Sequence, residues 1–205
     1  MKILVVGGGG REHAIIKKLK ENQNITEIYA LPGNGGIAAD ATCVAIGAKD
    51  IEKIVAFAKD IAADYAIVAP DDPLVLGAVD ALNAVGIPCF GPTKAAAIIE
   101  GSKVFSKDLM KKYGIPTADY ASFSDMQSAC AYIEAQGAPI VVKANGLALG
   151  KGVILAQTVE EAKEAVRSMM AEKMFGESGS QVVIEEFLQG PEVSVLAFTD
   201  GTCVK

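Results

Sequence analysis

Across the first hundred residues, short β-branched runs alternate with segments of helical period, and this alternation restricts the chain to very few architectures. Residues 2–6, 26–31, 65–69 and 88–90 read as strands; residues 11–21, 51–62 and 74–85 read as helices. Parallel neighbours need a crossover, and a helix between successive strands supplies one. Strands covered by helices on both faces are buried on both, so their sequences run apolar instead of alternating. The expected fold is therefore α/β, a doubly wound parallel sheet. Its loops Pro32-Gly33-Asn34-Gly35-Gly36 and Gly91-Pro92 follow strands, where ligand loops gather in such sheets.

The style changes after Gly101. Ser102 can cap a helix carrying Phe105 and Leu109 on one face, ending near Gly114 with Pro116 beyond. Ser124 with Gln127, and Thr158 with Glu161, read as capping boxes that open two further helices. Their apolar stripes are Met126, Ala129, Cys130, Ile133 and Val159, Ala162, Val166, Met170. Strands are expected at 140–144, 153–156, 181–185 and 192–198, making an α+β unit from about residue 120. The last of these strands lies beside the terminal turn Asp200-Gly201-Thr202 and would lack sheet neighbours, so the chain is expected to be a fragment of a longer protein.

Charge and composition exclude some partners. A net charge of -6 without a basic patch repels nucleic-acid phosphates. No apolar run approaches a membrane-spanning length, and the apolar start at residues 3–6 is too short for a signal peptide. Cys43, Cys89, Cys130 and Cys203 have neither metal-ligand nor disulfide-framework spacing, which reads as reduced, mostly buried thiols in a cytoplasmic protein.

Two glycine loops invite phosphate readings. Val6-Gly7-Gly8-Gly9-Gly10-Arg11-Glu12 follows a strand and opens a helix, but the third glycine of the dinucleotide fingerprint is Glu12, and no acid ends the second strand. An anion cradle for a smaller ligand and a plain positive-φ turn both stay open. Gly146 to Gly152, with Gly150 and Lys151 between, departs from a P-loop in spacing and lacks its Ser or Thr. It can cradle phosphate or be a flexible hairpin. His13 in the first helical turn reads as a packing or helix-orienting residue. One of Asp71 and Asp72 is expected to cap a helix starting at Pro73, which leaves the other for a substrate amine or hydroxyl. Lys103 and Lys107, four apart on a helix, read as solvated. Glu185, Glu186 and Glu192 follow the apolar run Val182-Val183-Ile184, where an acid needs a cationic or hydroxyl partner, although a strand end open to water suffices for Glu186.

Taken together, residues 6–14, Pro32-Gly33-Asn34, residues 90–93, 100–107, 115–118, 143–153 and Glu185-Glu186-Phe187-Leu188 resemble the amino-terminal half of the glycinamide ribonucleotide synthetase (phosphoribosylamine-glycine ligase) family of ATP-grasp enzymes. The resemblance implies a pre-ATP-grasp substrate domain at 1–101, a connecting helix and linker at 102–119, an ATP-grasp small lobe at 120–190, and the start of the large lobe at 191–205. It implies ATP as cofactor, with Lys103 and Lys143 on its phosphates and the loop containing Gly146, Gly150, Lys151 and Gly152 closing over them. Glu185, Glu186, Phe187 and Leu188 would line the adenine edge, and Glu192 would take the ribose hydroxyls. Gly9, Gly10, Arg11 and Asp71 would face 5-phosphoribosylamine. Magnesium ligands are expected downstream of residue 205, with none in this fragment, which alone is expected to be inactive. The implied partners are glycine and 5-phosphoribosylamine, with no nucleic acid and no membrane; oligomeric state is left open. The chain departs from the family pattern at Asp71 (usually Glu), Asn145 (usually Asp) and Leu149 (usually small). The alternative readings are another ATP-grasp carboxylate-amine ligase or carboxylase subunit, and a non-catalytic nucleotide-binding module.

Overall fold

The computed structural model describes residues 1–148, 152–172, 176–199 and 201–205. In the first half, β1 (Lys2–Gly7), β2 (Glu27–Pro32), β3 (Thr42–Cys43), β4 (Tyr65–Val68) and β5 (Cys89–Phe90) form a parallel sheet ordered β3-β2-β1-β4-β5. Helices α1 (Gly10–Leu19), α2 (Ile51–Asp60), α3 (Asp71–Leu76), α4 (Ala78–Ala84) and α5 (Lys94–Gly101) accompany it. Alternate residues of β1 enter different cores. Leu4 and Val6 pack with Ile54, Val79 and Leu82, whereas Ile3 and Val5 pack with Ile16 and Ile37. Two cores on two faces make the sheet doubly wound, as the alternation predicts. The chain runs from β1 outward to β2 and β3, then returns to β4 on β1's other side. The loops after β1 and β4 therefore splay apart at the switch point where such sheets bind ligands.

The second sheet is antiparallel, ordered β6-β9-β7-β8 from β6 (Tyr120–Phe123), β7 (Ile140–Ala144), β8 (Val153–Ala156) and β9 (Val182–Glu186). Helices α7 (Met126–Gln136) and α8 (Val159–Met170) cover one face, where Ala129, Ile133, Ala162, Val166 and Met169 meet Ile140, Val142, Ala144, Val182 and Ile184. Between the sheets runs α6 (Lys103–Tyr113), which starts at Ser102, whose Oγ accepts from Phe105 N, and stops at left-handed Gly114.

Several expectations need correction. Residues 74–85 are not one helix: Gly77, at φ 92°, ends α3 and starts α4. That first helix begins at Asp71 behind Pro70, so neither Asp71 nor Asp72 is its cap. Asp125, not Ser124, caps α7, with its carboxylate accepting from Ser128 N at 2.7 Å. Thr158 caps α8, but the Glu161 carboxylate accepts from Gln157 N, one residue before the position a capping box requires. Residues 192–198 form no strand. Among the described residues no neighbour offers them a ladder; Val195 is 88% exposed, and only the isolated bridge between Thr199 and Val204 follows. No helix among the described residues is long and apolar enough to cross a membrane.

Candidate functional site

The glycine loop after β1 is held by its neighbour after β2. Gly33 N donates to Gly7 O at 3.2 Å and Asn34 Nδ2 donates to Gly8 O at 2.7 Å, while Asn34 Oδ1 accepts from Ile37 N. A Cβ on Gly8 would lie 2.5 Å from Gly33 O, so the two backbones touch because no side chain intervenes. Glu12 is buried beneath the loop and accepts from Gly9 N, occupying the place of the missing third glycine. His13 Nε2 lies 2.8 Å from Asp40 Oδ2, and Lys20 Nζ lies 2.7 Å from Oδ1. Lys20 and then His13 hold the Asp40 carboxyl down at about 2. This anchors one side of α1.

A cleft of about 380 Å³ lies where the two halves meet. Arg11, Pro70, Asp71 and Asp72 line one wall; Glu100, Lys103, Leu147, Ala148 and Gly152 line the other. Lys49 pairs with Asp72 at 3.0 Å. Gly9 and Gly10 sit beside Arg11, exposed at the start of α1, without lining the cleft.

Glu100 and Lys103 are shared with an adjoining cleft of about 240 Å³, which Lys107, Met110, Lys143 and Glu185 also line. Strand register explains how its charges meet. Val141 stands opposite Glu185 and Lys143 opposite Val183, so Lys143 and Glu185 are diagonal neighbours on the sheet face that α7 and α8 do not cover. Helix α6 supplies Lys103 and Lys107 to the same cleft. Lys143 Nζ lies 2.8 Å, and Lys107 Nζ 3.0 Å, from Glu185 Oε2. Lys107 is therefore not solvated as expected: it is 6% exposed, the buried residue of a helix whose apolar Phe105 is exposed. Helical spacing could not reveal this, because its partner Glu185 is far along the chain. Lys103 Nζ donates to Gly146 O at 3.1 Å. Burial lowers its pKa from the ordinary lysine value, Lys143 acts in the same direction, and Glu100 and Glu185 oppose.

Asn145, at the end of β7, ties these elements together. Its Oδ1 accepts from Ser102 Oγ and Val104 N, its carbonyl accepts from Lys103 N, and its Nδ2 donates to Gln181 Oε1. Gly146 packs so close to Ser178 that a Cβ would lie 2.5 Å from its Oγ. Leu149, Gly150 and Lys151 lie outside the described residues. Glu186 is exposed at the end of β9, where its backbone N–H donates to Asp119 O. Glu186 and the half-buried Phe187 line a separate cleft with Asp119, Tyr132 and Pro139. Leu188 and Glu192 are exposed and line neither of the two adjoining clefts. Among the described residues no group of three or more His, Cys, Asp or Glu comes together in a form that could hold a metal ion.

Two family models divide the chain between them. The phosphoribosylglycinamide synthetase N domain matches residues 1–100, and the ATP-grasp (A) domain of the same synthetase matches residues 101–205. The chain belongs to the phosphoribosylglycinamide synthetase family. Phosphoribosylamine--glycine ligase of Vibrio vulnificus (strain YJ016) is 54% identical over 203 residues, covering 98% of this chain and 47% of the relative. The crystal structure of phosphoribosylamine--glycine ligase from Thermotoga maritima superposes with a TM-score of 0.83 at 31% identity, over 100% of this chain and 48% of that one. The biotin carboxylase domain of Hydrogenobacter thermophilus 2-oxoglutarate carboxylase, 20% identical, shares the fold over 92% of this chain and 44% of its own, with a TM-score of 0.75. The chain thus spans about half the length of the curated relatives it matches.

Proposed function

We propose that the complete protein of this family joins glycine to 5-phosphoribosylamine at the expense of ATP, giving glycinamide ribonucleotide, ADP and phosphate. The observation that carries the reading is the meeting of Arg11 and Asp71 with Lys103 and Gly152 across one cleft that continues to Lys143 and Glu185. An anionic, hydroxyl-bearing amine suits the first wall, and a triphosphate suits the second. ATP supplies the phosphoryl group that turns the glycine carboxylate into an acyl phosphate: the carboxylate oxygen bonds to the γ-phosphorus as ADP leaves. The ribosylamine nitrogen then bonds to the carbonyl carbon, loses a proton, and expels phosphate.

The residues present fit a triphosphate. Lys103 and Lys143 are cations facing a partly desolvated cleft, where a charge-assisted bond to phosphate is strong. The crowding at Gly146 and Gly152, where a Cβ would meet Ser178 or Ala148, keeps bulk out of the loop that would approach the phosphates. Lys151 and Gly150 would complete that loop. Arg11 would hold the ribose phosphate beside the amide of Gly10, since the Gly9 amide already donates to Glu12, and Asp71 would take the amine or a hydroxyl. Glu185 to Leu188 would border adenine, and Glu192 the ribose. Magnesium would be held by residues beyond this chain. No side chain here needs to act as a nucleophile, since positioning and charge neutralisation carry such chemistry.

In this reading residues 1–101 are the substrate domain, 102–119 the connection, 120–190 the small lobe, and 191–205 the start of the large lobe. A cytoplasmic setting suits Cys43, Cys89 and Cys130, which form no disulfide, although Cys43 and Cys203 are exposed and Cys89 and Cys130 only half-buried where mostly buried thiols are expected. A carboxylase-subunit reading is less well supported, since its match is at 20% identity and concerns fold alone. The test is ADP release by the full-length protein. It is expected only when glycine and phosphoribosylamine are both present, and release that needs neither, or no release at all, overturns the proposal.

A further inference from the structure

Lys107, Lys143 and Glu185 form an ion triad in which both ammonium groups share one carboxylate oxygen, at 3.0 and 2.8 Å. Two cations against one anion leave one positive charge in surplus, and burial decides where it is presented. The Lys107 side chain is 7% exposed and its ammonium is held by the ion pair with Glu185 and by hydrogen bonds to Thr117 Oγ1 at 2.8 Å and Ala118 O at 3.2 Å. It also lies 5.5 Å from the centre of the Tyr120 ring. The Lys143 side chain is 25% exposed, and Glu185 is the hydrogen-bond partner of its ammonium. The surplus charge is therefore offered to the cleft at Lys143, beside Lys103.

We infer that Lys107 is a positioning residue for the nucleotide site: it neutralises Glu185, so that the charge of Lys143 is left for the phosphate chain of a nucleoside triphosphate. The inference rests on the nucleotide reading above. Without Lys107, Glu185 and Lys143 would close into a neutral pair, and a phosphate would have to compete with a buried carboxylate for the Lys143 ammonium. Without Glu185, that competition disappears and Lys107 becomes dispensable to binding. The two residues must then be coupled, with the loss caused by removing Lys107 depending on whether Glu185 is charged. A lysine that only packed α6 against the linker would cause the same loss in both backgrounds.

The experiment is a double-mutant cycle in the full-length protein, reading the Kd for ATP by calorimetry and foldedness by thermal unfolding. Lys107→Met is expected to weaken ATP binding by about tenfold or more in the wild-type background, and by less than about threefold in a Glu185→Gln background. The KM for glycine is expected to stay within about twofold, since none of the triad lines the cleft that Arg11 and Asp71 share with Lys103. Equal losses in both backgrounds, or no loss in either, overturn the inference. Should Lys107→Met fail to fold, Lys107→Arg keeps the charge and is expected to hold ATP affinity within about threefold; a tenfold loss there overturns the charge argument. Wild-type protein that binds no ATP overturns the nucleotide reading and this inference with it, whereas additive losses in a protein that binds ATP overturn this inference alone.

Discussion

Asn145 and Ser102, far apart in sequence, are joined by a hydrogen bond of 3.0 Å from the serine hydroxyl to the amide oxygen. The same oxygen accepts from Val104 N at 3.0 Å, so a side chain at the end of a strand caps the first turn of α6. Lys143 lies two residues before Asn145 and Lys103 one after Ser102, so this clamp sets the separation of the two cleft lysines. The family pattern expected Asp here. Asn adds what Asp lacks, an N–H₂ group that donates to Gln181 Oε1 at 3.0 Å.

Replacing Asn145 with Ala removes both acceptor bonds and the link to Gln181. The expected cost is about 1–3 kcal/mol of folding stability, with a parallel loss of ATP affinity as the lysines lose their spacing. Asn145→Asp keeps the acceptor and loses only the donor, so its loss is smaller. Chemical denaturation and ATP titration of the full-length protein check both; an alanine variant as stable as wild type contradicts the clamp.

The two lysines that share Glu185 are expected to separate in stability. Lys107→Ala leaves a buried carboxylate with one partner fewer and abandons Thr117 and Ala118, so it lowers Tm measurably and costs on the order of 3 kcal/mol. Lys143→Ala removes a more exposed cation while Lys107 still compensates Glu185, so its effect falls mainly on ATP affinity, with a smaller change in Tm. Equal Tm losses for the two variants contradict the burial difference.

The burial of Lys107 is not legible in the sequence, although β1, β4, β7 and β9 are. Strand and helix positions follow from local periodicity, and the alternation of Val141, Lys143, Val183 and Glu185 is a property of a few neighbouring residues. Which helix face becomes interior depends on what the fold places opposite. Phe105 marks the face that hydrophobicity would bury, yet Glu185 draws Lys107 inward. The break at Gly77 is hidden for a similar reason: a glycine inside a helical pattern reads as tolerated, and only its φ of 92° in the fold marks the break. The two-residue β3 is too short for any period to register. At the site, the glycine loops were visible as composition, whereas the pairing of Asn34 with Gly8 needed the tertiary fold.

Gly8→Ala tests the contact between the two glycine loops. The added Cβ would meet a backbone oxygen, Gly33 O, at 2.5 Å, and backbone cannot move aside as the end of a flexible side chain can. The loops must part, breaking the bond from Asn34 Nδ2 to Gly8 O. The KM for phosphoribosylamine is expected to rise by about tenfold with the KM for ATP nearly unchanged, because the displaced loop belongs to the wall bearing Arg11. A larger change in the ATP constant would assign the loop to the nucleotide instead.

Asp40 predicts an acid-range signature. Lys20 and His13 lower its folded pKa to about 2, with Lys17 adding a smaller share in the same direction, against about 3.9 for an unperturbed Asp. A depressed carboxyl pKa contributes stability that is fully present above the unfolded value and is lost as pH falls through the folded one. The comparison starts at pH 5, below the ordinary histidine range, so that imidazole protonation does not confuse it. Wild type and Asp40→Asn should then differ most in Tm at pH 5, with wild type the more stable, and converge as pH falls from about 4 to about 2. Thermal unfolding across that window checks the outcome. A gap that stays constant down to pH 2 would mean that the Asp40 carboxylate does not stabilise the fold through its ionised form, and the anchor on α1 would have to be assigned to packing around His13 instead.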